Sequence, residues 1–281
     1  DGVPPTYPFT EIDDHLPEGY TWDDITYVIG GYNWKARFTD ANGYIITGDA
    51  EATTQYNFFN EELGIGDNWV GYHAGEVDKP YNCGTCHTTG YSPEGHQDDL
   101  PGMVGTWTEP GVRCEECHGP GSLHAANPRG VALKVDRDAE ACGDCHYRGD
   151  KTAVDAKGGF IKHHEQYEEL FQSKHIALDC VVCHDPHAGV IQLRKAGEPT
   201  TRTTCENCHF EQVENQAVSI HKKAAECDDC HMPKITKNAL GVKEAFTGDI
   251  RSHVMAIDPN QVGQFTEDGA YSQSQIALDF A

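Results

Sequence analysis

The chain has 281 residues, a formal net charge of −24 and a sequence pI near 4.9. Such an acidic surface repels nucleic acid and anionic lipid, and suits basic partners and metal cations. A mean hydropathy of −0.59 and the lack of any apolar run near ~18 residues exclude a membrane helix.

Residues 1–24 open as Asp-Gly-Val-Pro-Pro, rich in proline and acid and without helix or strand period, which predicts an extended arm. Asp1 starts no signal-peptide pattern, so the expectation is an exported chain already processed. Residues 25–82 form the next region. Between Ile25 and Thr47 the chain is dense in Ile, Val, Tyr, Trp and Phe, and the break at Asp40-Ala41-Asn42-Gly43 predicts a β-hairpin turning at Asn42-Gly43.

Residues 83–253 carry six copies of Cys-x-x-Cys-His, and these use all twelve cysteines. They are Cys83/Cys86/His87, Cys114/Cys117/His118, Cys142/Cys145/His146, Cys180/Cys183/His184, Cys205/Cys208/His209 and Cys227/Cys230/His231. Positions i, i+3 and i+4 share one face of a helical turn. Two thiols can therefore add to the vinyl groups of a haem while the adjoining imidazole binds its iron, which is the c-type attachment signal. Zinc sites or six disulfides would need no histidine after every second cysteine. The intervals of 31, 28, 38, 25 and 22 residues are unequal, so this is a string of sites and not a solenoid repeat.

Six covalent haem c groups leave only about 47 residues for each, so the expectation is that the macrocycles themselves form much of the core. The predicted fold is accordingly a multihaem cytochrome c: short α-helices and irregular chain around a row of haems, plus the N-terminal hairpin. Without haem, such a chain is not expected to fold. Covalent attachment takes place outside the cytoplasmic membrane, so the expected location is extracellular or periplasmic. Two helices are predicted between motifs. One carries Phe160, His164, Tyr167, Phe171 and His175 on a single face; the other carries Val213, Ala217 and His221 at four-residue spacing. Residues 254–281 have no histidine or cysteine and read as a tail.

Each motif fills one axial position of an iron, and the sixth ligand separates electron wiring from catalysis. Of sixteen histidines, ten lie outside the motifs, enough for complete bis-histidine ligation; three methionines are too few for His/Met ligation throughout. The candidate distal ligands are His15, His73, His124, His164, His175, His187, His221 and His253. His163 and His96, the latter between Glu94 and Asp98 in a loop-like stretch, are left out. His124 lies six residues after His118 and His187 three after His184, so each is expected to reach an adjacent haem and not the one its neighbour holds.

Several stretches carry a resemblance. Tyr27 to Phe38, Cys83-Gly-Thr-Cys-His-Thr-Thr-Gly-Tyr, and Gly111 to His124 resemble the amino-terminal half of extracellular cytochromes that polymerise into conducting filaments, and are similar to the cytochrome c-554 group. His164-Glu-Gln-Tyr, Ser173 to His187, Cys227-Asp-Asp-Cys-His-Met-Pro-Lys and Ser252-His253 are similar to motifs shared by multihaem cytochromes and nitrite reductases. The resemblance covers residues 25–255. It implies extracellular electron transfer through closely spaced bis-histidine haems, without catalytic residues. It also implies a helical homopolymer in which His15 ligates a haem of the neighbouring copy, with external redox partners or acceptors. Two alternatives share the chemistry: a discrete electron shuttle, and a reductase or oxidase with one open iron. The nitrite reductases mark such an iron with Lys in place of the motif histidine, and no Cys-x-x-Cys-Lys occurs here.

Overall fold

The computed structural model describes residues 15–147, 156–157, 160–161, 166–220, 225–235, 238–242 and 247–255. Contacts divide the chain into two compact units, residues 1–136 and 137–281.

The first unit is organised by a four-stranded antiparallel meander, β1 (Val28–Gly30), β2 (Lys35–Phe38), β3 (Gln55–Asn57) and β4 (Asn68–Val70). Val28 pairs with Phe38, Ala36 with Tyr56, and Tyr56 with Trp69. Side chains alternate across a strand, so Ala36 and Phe38 fall on the same face and both are fully buried. Ile25, Ile46, Tyr56 and Phe58 complete that cluster, and Leu16, Tyr20 and Trp22 pack against it. The predicted turn is present: Gly43 N–H donates to Asp40 O at 3.0 Å, and Asp40 Oδ1 accepts from Asn42 and Tyr44 N–H at 2.9 and 3.0 Å. It is not the main hairpin connection, however. β1 and β2 are joined through residues 31–34, and the pairing continues to residue 70, because Tyr56 and Trp69 extend the same aromatic face. Of the expected arm, residues 15–24 are described, with Leu16, Tyr20 and Trp22 packed against the sheet cluster, and residues 1–14 lie outside the described set.

A second cluster, Ile45, Tyr81, Met103 and Trp107, has Cys83, Tyr91 and Leu100 packed against it. It seats the first motif helix, α1 (Gly84–His87). A Cβ on Gly84 would come within 2.5 Å of the Tyr91 ring, so the close approach of ring and helix requires glycine there. After α1, β5 (Thr88–Thr89) is followed by β6 (Ser92–His96), which pairs with β7 (Val104–Thr106). β5 itself pairs with β8 (Glu109–Pro110), which leads into α2 (Cys114–His118) and α3 (Ser122–Ala126).

The second unit is mostly short helices: α4 (Ala139–Gly143), α5 (Gln166–Gln172), α6 (Cys180–Cys183), α7 (Val190–Lys195), α8 (Phe210–Val218) and α9 (Cys227–His231). The helix expected across Phe160 to His175 is shorter. Its start is a strand, β10 (Phe160–Ile161), paired with β9 (Ala156–Lys157), and the sequence between the two is Gly-Gly, a hairpin signature. At the other end Ser173 Oγ donates to Leu170 O at 2.7 Å and accepts His175 N–H at 2.9 Å, so His175 stands in the turn beyond α5. The second predicted helix is α8, which holds Val213 and Ala217; His164 and His221 lie outside the described residues. Near the end of the unit β11 (Lys234–Ile235) pairs with β14 (Ile250–Arg251), and β12 (Gly241–Val242) with β13 (Thr247–Gly248). The first of these pairings brings the approach to His253 back beside the end of the last motif.

Candidate haem-binding sites

The twelve cysteines form no disulfide, and each is at least partly exposed. The motif turns are not all built alike, which corrects the expectation of one helical turn for every copy. Cys83 caps α1 from outside, and Cys86 lies within it, its N–H donating to Cys83 O at 3.2 Å. Cys114 and Cys117 both belong to α2 and are exposed, Cys180 and Cys183 bound α6, and Cys227 and Cys230 both belong to α9. These four motifs keep the α-helical spacing. In the third, α4 stops at Gly143, so Cys142 is helical while Cys145 lies in the turn that follows, held by its N–H to Cys142 O at 3.2 Å. In the fifth, Cys205 opens a single 3₁₀ turn and Cys208 stands just past it, its N–H donating to Cys205 O at 3.2 Å. The tighter i to i+3 bond still presents both thiols within one turn.

In the first unit, the motifs of α1 and α2 are bolted together. Gly111 N–H donates to His87 O at 3.0 Å, Arg113 N–H to Thr89 Oγ1 at 2.8 Å, and Gly90 N–H to Glu116 Oε2 at 2.9 Å.

His118 and His124 show the orientation an iron ligand needs. His118 Nδ1 is 2.6 Å from Lys134 O, and His124 Nδ1 is 2.6 Å from Val131 O. A ring whose Nδ1–H is engaged by a carbonyl presents the Nε2 lone pair outward, which fixes the ligating tautomer. Both imidazoles line one cavity of about 330 Å³, with Cys114, Ser122 and Leu133. His96, set aside in the sequence, has the same anchoring: its Nδ1 is 3.1 Å from Met103 O. The anchoring is supplied by strand β6, whose Ser-Pro-Glu-Gly-His sequence has no strand periodicity that would point to it. His73 is half-exposed and bonds Glu76 Oε2 through Nδ1 at 2.7 Å, with its backbone at φ 50°. His15 stacks on Tyr56, ring centroids 4.0 Å apart, and its Nδ1 is buried without a hydrogen bond.

The second unit sets its four motifs in contact in chain order. Asp179 Oδ1, just before the fourth motif, accepts Ala139 N–H at 3.1 Å at the head of α4. The Cys142 thiol lies beside Cys180 and, with burial, raises the Cys180 thiol far above its usual range. Arg202 N–H donates to Cys183 O at 2.8 Å, linking the fourth motif to the approach of the fifth. Cys227 Sγ is 3.8 Å from Glu206 Oε1, joining the sixth motif to the fifth.

Two pairs of imidazoles face each other. His175 Nε2 and His209 Nε2 are 3.5 Å apart, with ring centroids 5.8 Å apart and planes at 72°. His184 and His253 have centroids 6.0 Å apart and planes at 41°. Burial, then the neighbouring His209 and His231, lowers the pKa of His175; burial, then His146, lowers that of His184. Both shifts favour the neutral imidazole that binds metal. His146 Nδ1 bonds Gln166 Oε1 at 3.2 Å. His187 has an exposed side chain; its backbone N–H donates to Asp185 Oδ1 at 2.9 Å, and its Nδ1 lies 3.7 Å from the same oxygen.

The residues fit a haem iron. Metal–imidazole bonds of about 2 Å on each side would separate two Nε2 atoms by about 4 Å, close to the His175–His209 spacing. Leu123, Val135, Ile176 and Phe210, near the motifs in sequence, are exposed apolar side chains of the sort a macrocycle would cover.

Residues 60–119 match the family model described as cytochrome c554 and c-prime. The octaheme sulfite reductase MccA of Wolinella succinogenes superposes with a TM-score of 0.57 at 19% identity, over 89% of this chain and 51% of that one. The outer cell wall cytochrome OcwA superposes with a TM-score of 0.52 at 19% identity, over 85% and 69%. The chain has the fold of a multihaem c-type cytochrome. An undecaheme cytochrome from the S-layer of Carboxydothermus ferrireducens aligns at a TM-score of 0.49 and 19% identity, over 82% and 47%. The chain thus spans about half the length of two of these three proteins. No curated protein matches it in sequence. Among the described residues no helix is long and apolar enough to cross a membrane.

Proposed function

We propose that the chain is an electron-transfer cytochrome carrying six haem c groups with bis-histidine ligation, attached at the twelve motif cysteines. The single observation that carries this reading is the His175–His209 pair, whose Nε2 atoms face each other at 3.5 Å across a gap of the size an iron needs. Haem c supplies an iron that cycles between ferrous and ferric states; the protein binds, orients and packs it. The first unit holds two motifs side by side through β5 and β8, and the second holds four in succession through Asp179, Arg202 and Glu206. Contacts between successive motifs would suit electron hopping, and where an imidazole pair such as His175 and His209 held an iron from both sides, no position for a substrate would remain on it. His253 is assigned to the haem of Cys180 and Cys183, and His175 to that of Cys205 and Cys208.

The likeness to an outer cell wall cytochrome supports action outside the cytoplasmic membrane. A reductase is the competing reading, because one protein of the same fold is a sulfite reductase. Every motif histidine is present here, which favours transfer over turnover. The filament reading rests on the resemblance alone: His15 sits on Tyr56 of its own chain, and bridging to another copy would require it to leave that ring. Electron paramagnetic resonance of the oxidised holoprotein tests the main reading. Only low-spin ferric signals are expected; a substantial high-spin signal that shifts with nitrite, sulfite or cyanide would overturn it in favour of an open iron.

A further inference from the structure

Helix α5 carries two carboxylates with no solvent exposure to speak of, Glu168 at 1% and Glu169 at 0%. A buried carboxylate is costly unless its position is used, and a chain of net charge −24 has no shortage of acid to leave at the surface. One oxygen of Glu169 meets the segment that carries His253. Glu169 Oε2 accepts the backbone N–H of His253 at 2.8 Å, and His253 Nδ1 stands 3.9 Å from the same oxygen. The hydrogen bond joins positions 84 residues apart and fastens the segment carrying His253 onto α5. Its neighbour Ser252 is likewise buried, its N–H bonded to Pro233 O at 2.9 Å. His253 is thereby held with its ring 6.0 Å from that of His184.

We propose that Glu169 is the positioning residue for His253 as distal ligand of the haem attached at Cys180 and Cys183, and that its carboxylate lowers that haem's potential. This rests on the reading of His184 and His253 as an axial pair. The backbone hydrogen bond does the positioning. At 3.9 Å the carboxylate acts on the ring through its charge and not through a formed hydrogen bond. A negative group behind an axial imidazole increases the electron density it offers the metal and favours the ferric state.

The test uses the holoprotein with Glu169→Gln, Glu169→Ala and, as a separate control, His253→Ala. Haem content, paramagnetic resonance and a spectroelectrochemical titration are measured for each. Glu169→Gln keeps an oxygen acceptor for the His253 N–H, so all haems should stay low-spin while one midpoint moves upward. Glu169→Ala removes the anchor, and one haem should become high-spin with covalent content unchanged. A Gln variant whose titration superimposes on the wild type overturns the proposal, and does so even if the Ala variant fails to fold. An Ala variant that folds and remains wholly low-spin overturns the positioning role. If His253→Ala itself leaves every haem low-spin, the axial pair is wrong, an outcome distinct from a silent Glu169.

Discussion

Arg251 Nη2 donates to Asp229 Oδ1 at 3.1 Å, so a residue two before His253 grips the middle of the sixth motif. The same guanidinium donates through Nη1 to Asp228 O at 2.8 Å and Met232 O at 3.1 Å, and its Nε lies 3.0 Å from Asp228 Oδ2. Lysine cannot reproduce this fork. Arg251→Lys is expected to loosen α9 and lower the thermal midpoint of the holoprotein while all haems remain attached, measured by calorimetry together with haem content.

Asp229 also accepts Glu226 N–H at 3.0 Å. That backbone bond, ahead of the Arg251 contacts, holds its carboxyl below the usual value in spite of partial burial. A carboxyl whose folded pKa is depressed contributes stability that is whole above its unfolded value and lost as pH falls through the folded one. Asp229→Asn should therefore flatten the acid side of the stability profile and leave the neutral side less affected. Thermal melts of both proteins from neutral pH to about pH 3 check this; parallel acid limbs would contradict it.

His175→Ala should convert one low-spin haem to high-spin and leave covalent haem content unchanged, because the motif thiols and His209 are untouched. Pyridine haemochrome content and paramagnetic resonance check both halves of the expectation. Added imidazole should restore the low-spin signal by occupying the vacated position.

His15→Ala should remove the stack on Tyr56 without altering the haem spectra of the isolated chain. Electron microscopy of extracellular material from the native host, with and without the substitution, bears on assembly. Uniform filaments that vanish in the variant would place His15 on a neighbouring copy's haem.

Phe38→Ala removes a fully buried ring from the sheet cluster and should cost about 3–5 kcal/mol in the first unit. Unfolding followed by tryptophan fluorescence, which reports Trp22 and Trp69 packed on that cluster, measures it.

The sequence by itself determined the chemistry. Cys-x-x-Cys-His is a local pattern, complete within one turn of chain, so six copies with no cysteine left over mark the candidate attachment residues and motif imidazoles without any tertiary information. Local periodicity also disclosed α8 and the turn at Asp40 to Gly43. It misjudged α5, because Phe160 to His175 keeps a helical spacing while the pairing of β9 with β10 and the turn at Ser173, which break it, act through the backbone. Nor did it distinguish the α-helical turn of Cys227 and Cys230 from the tighter i to i+3 turns at Cys145 and Cys208, since the same spacing serves both. The tertiary structure alone decided which imidazoles meet. His253 reaches His184 from 69 positions away, and the bond from Glu169 that fixes it spans 84. His175 meets His209 across the fold, whereas His187, nearer in sequence to a motif, stays exposed. The proposed axial pairing is a contact between distant segments, set by strand β14, the end of α5 and the buried carboxylate on that helix. No pattern along the chain encodes that contact, because its geometry exists only once those segments have packed.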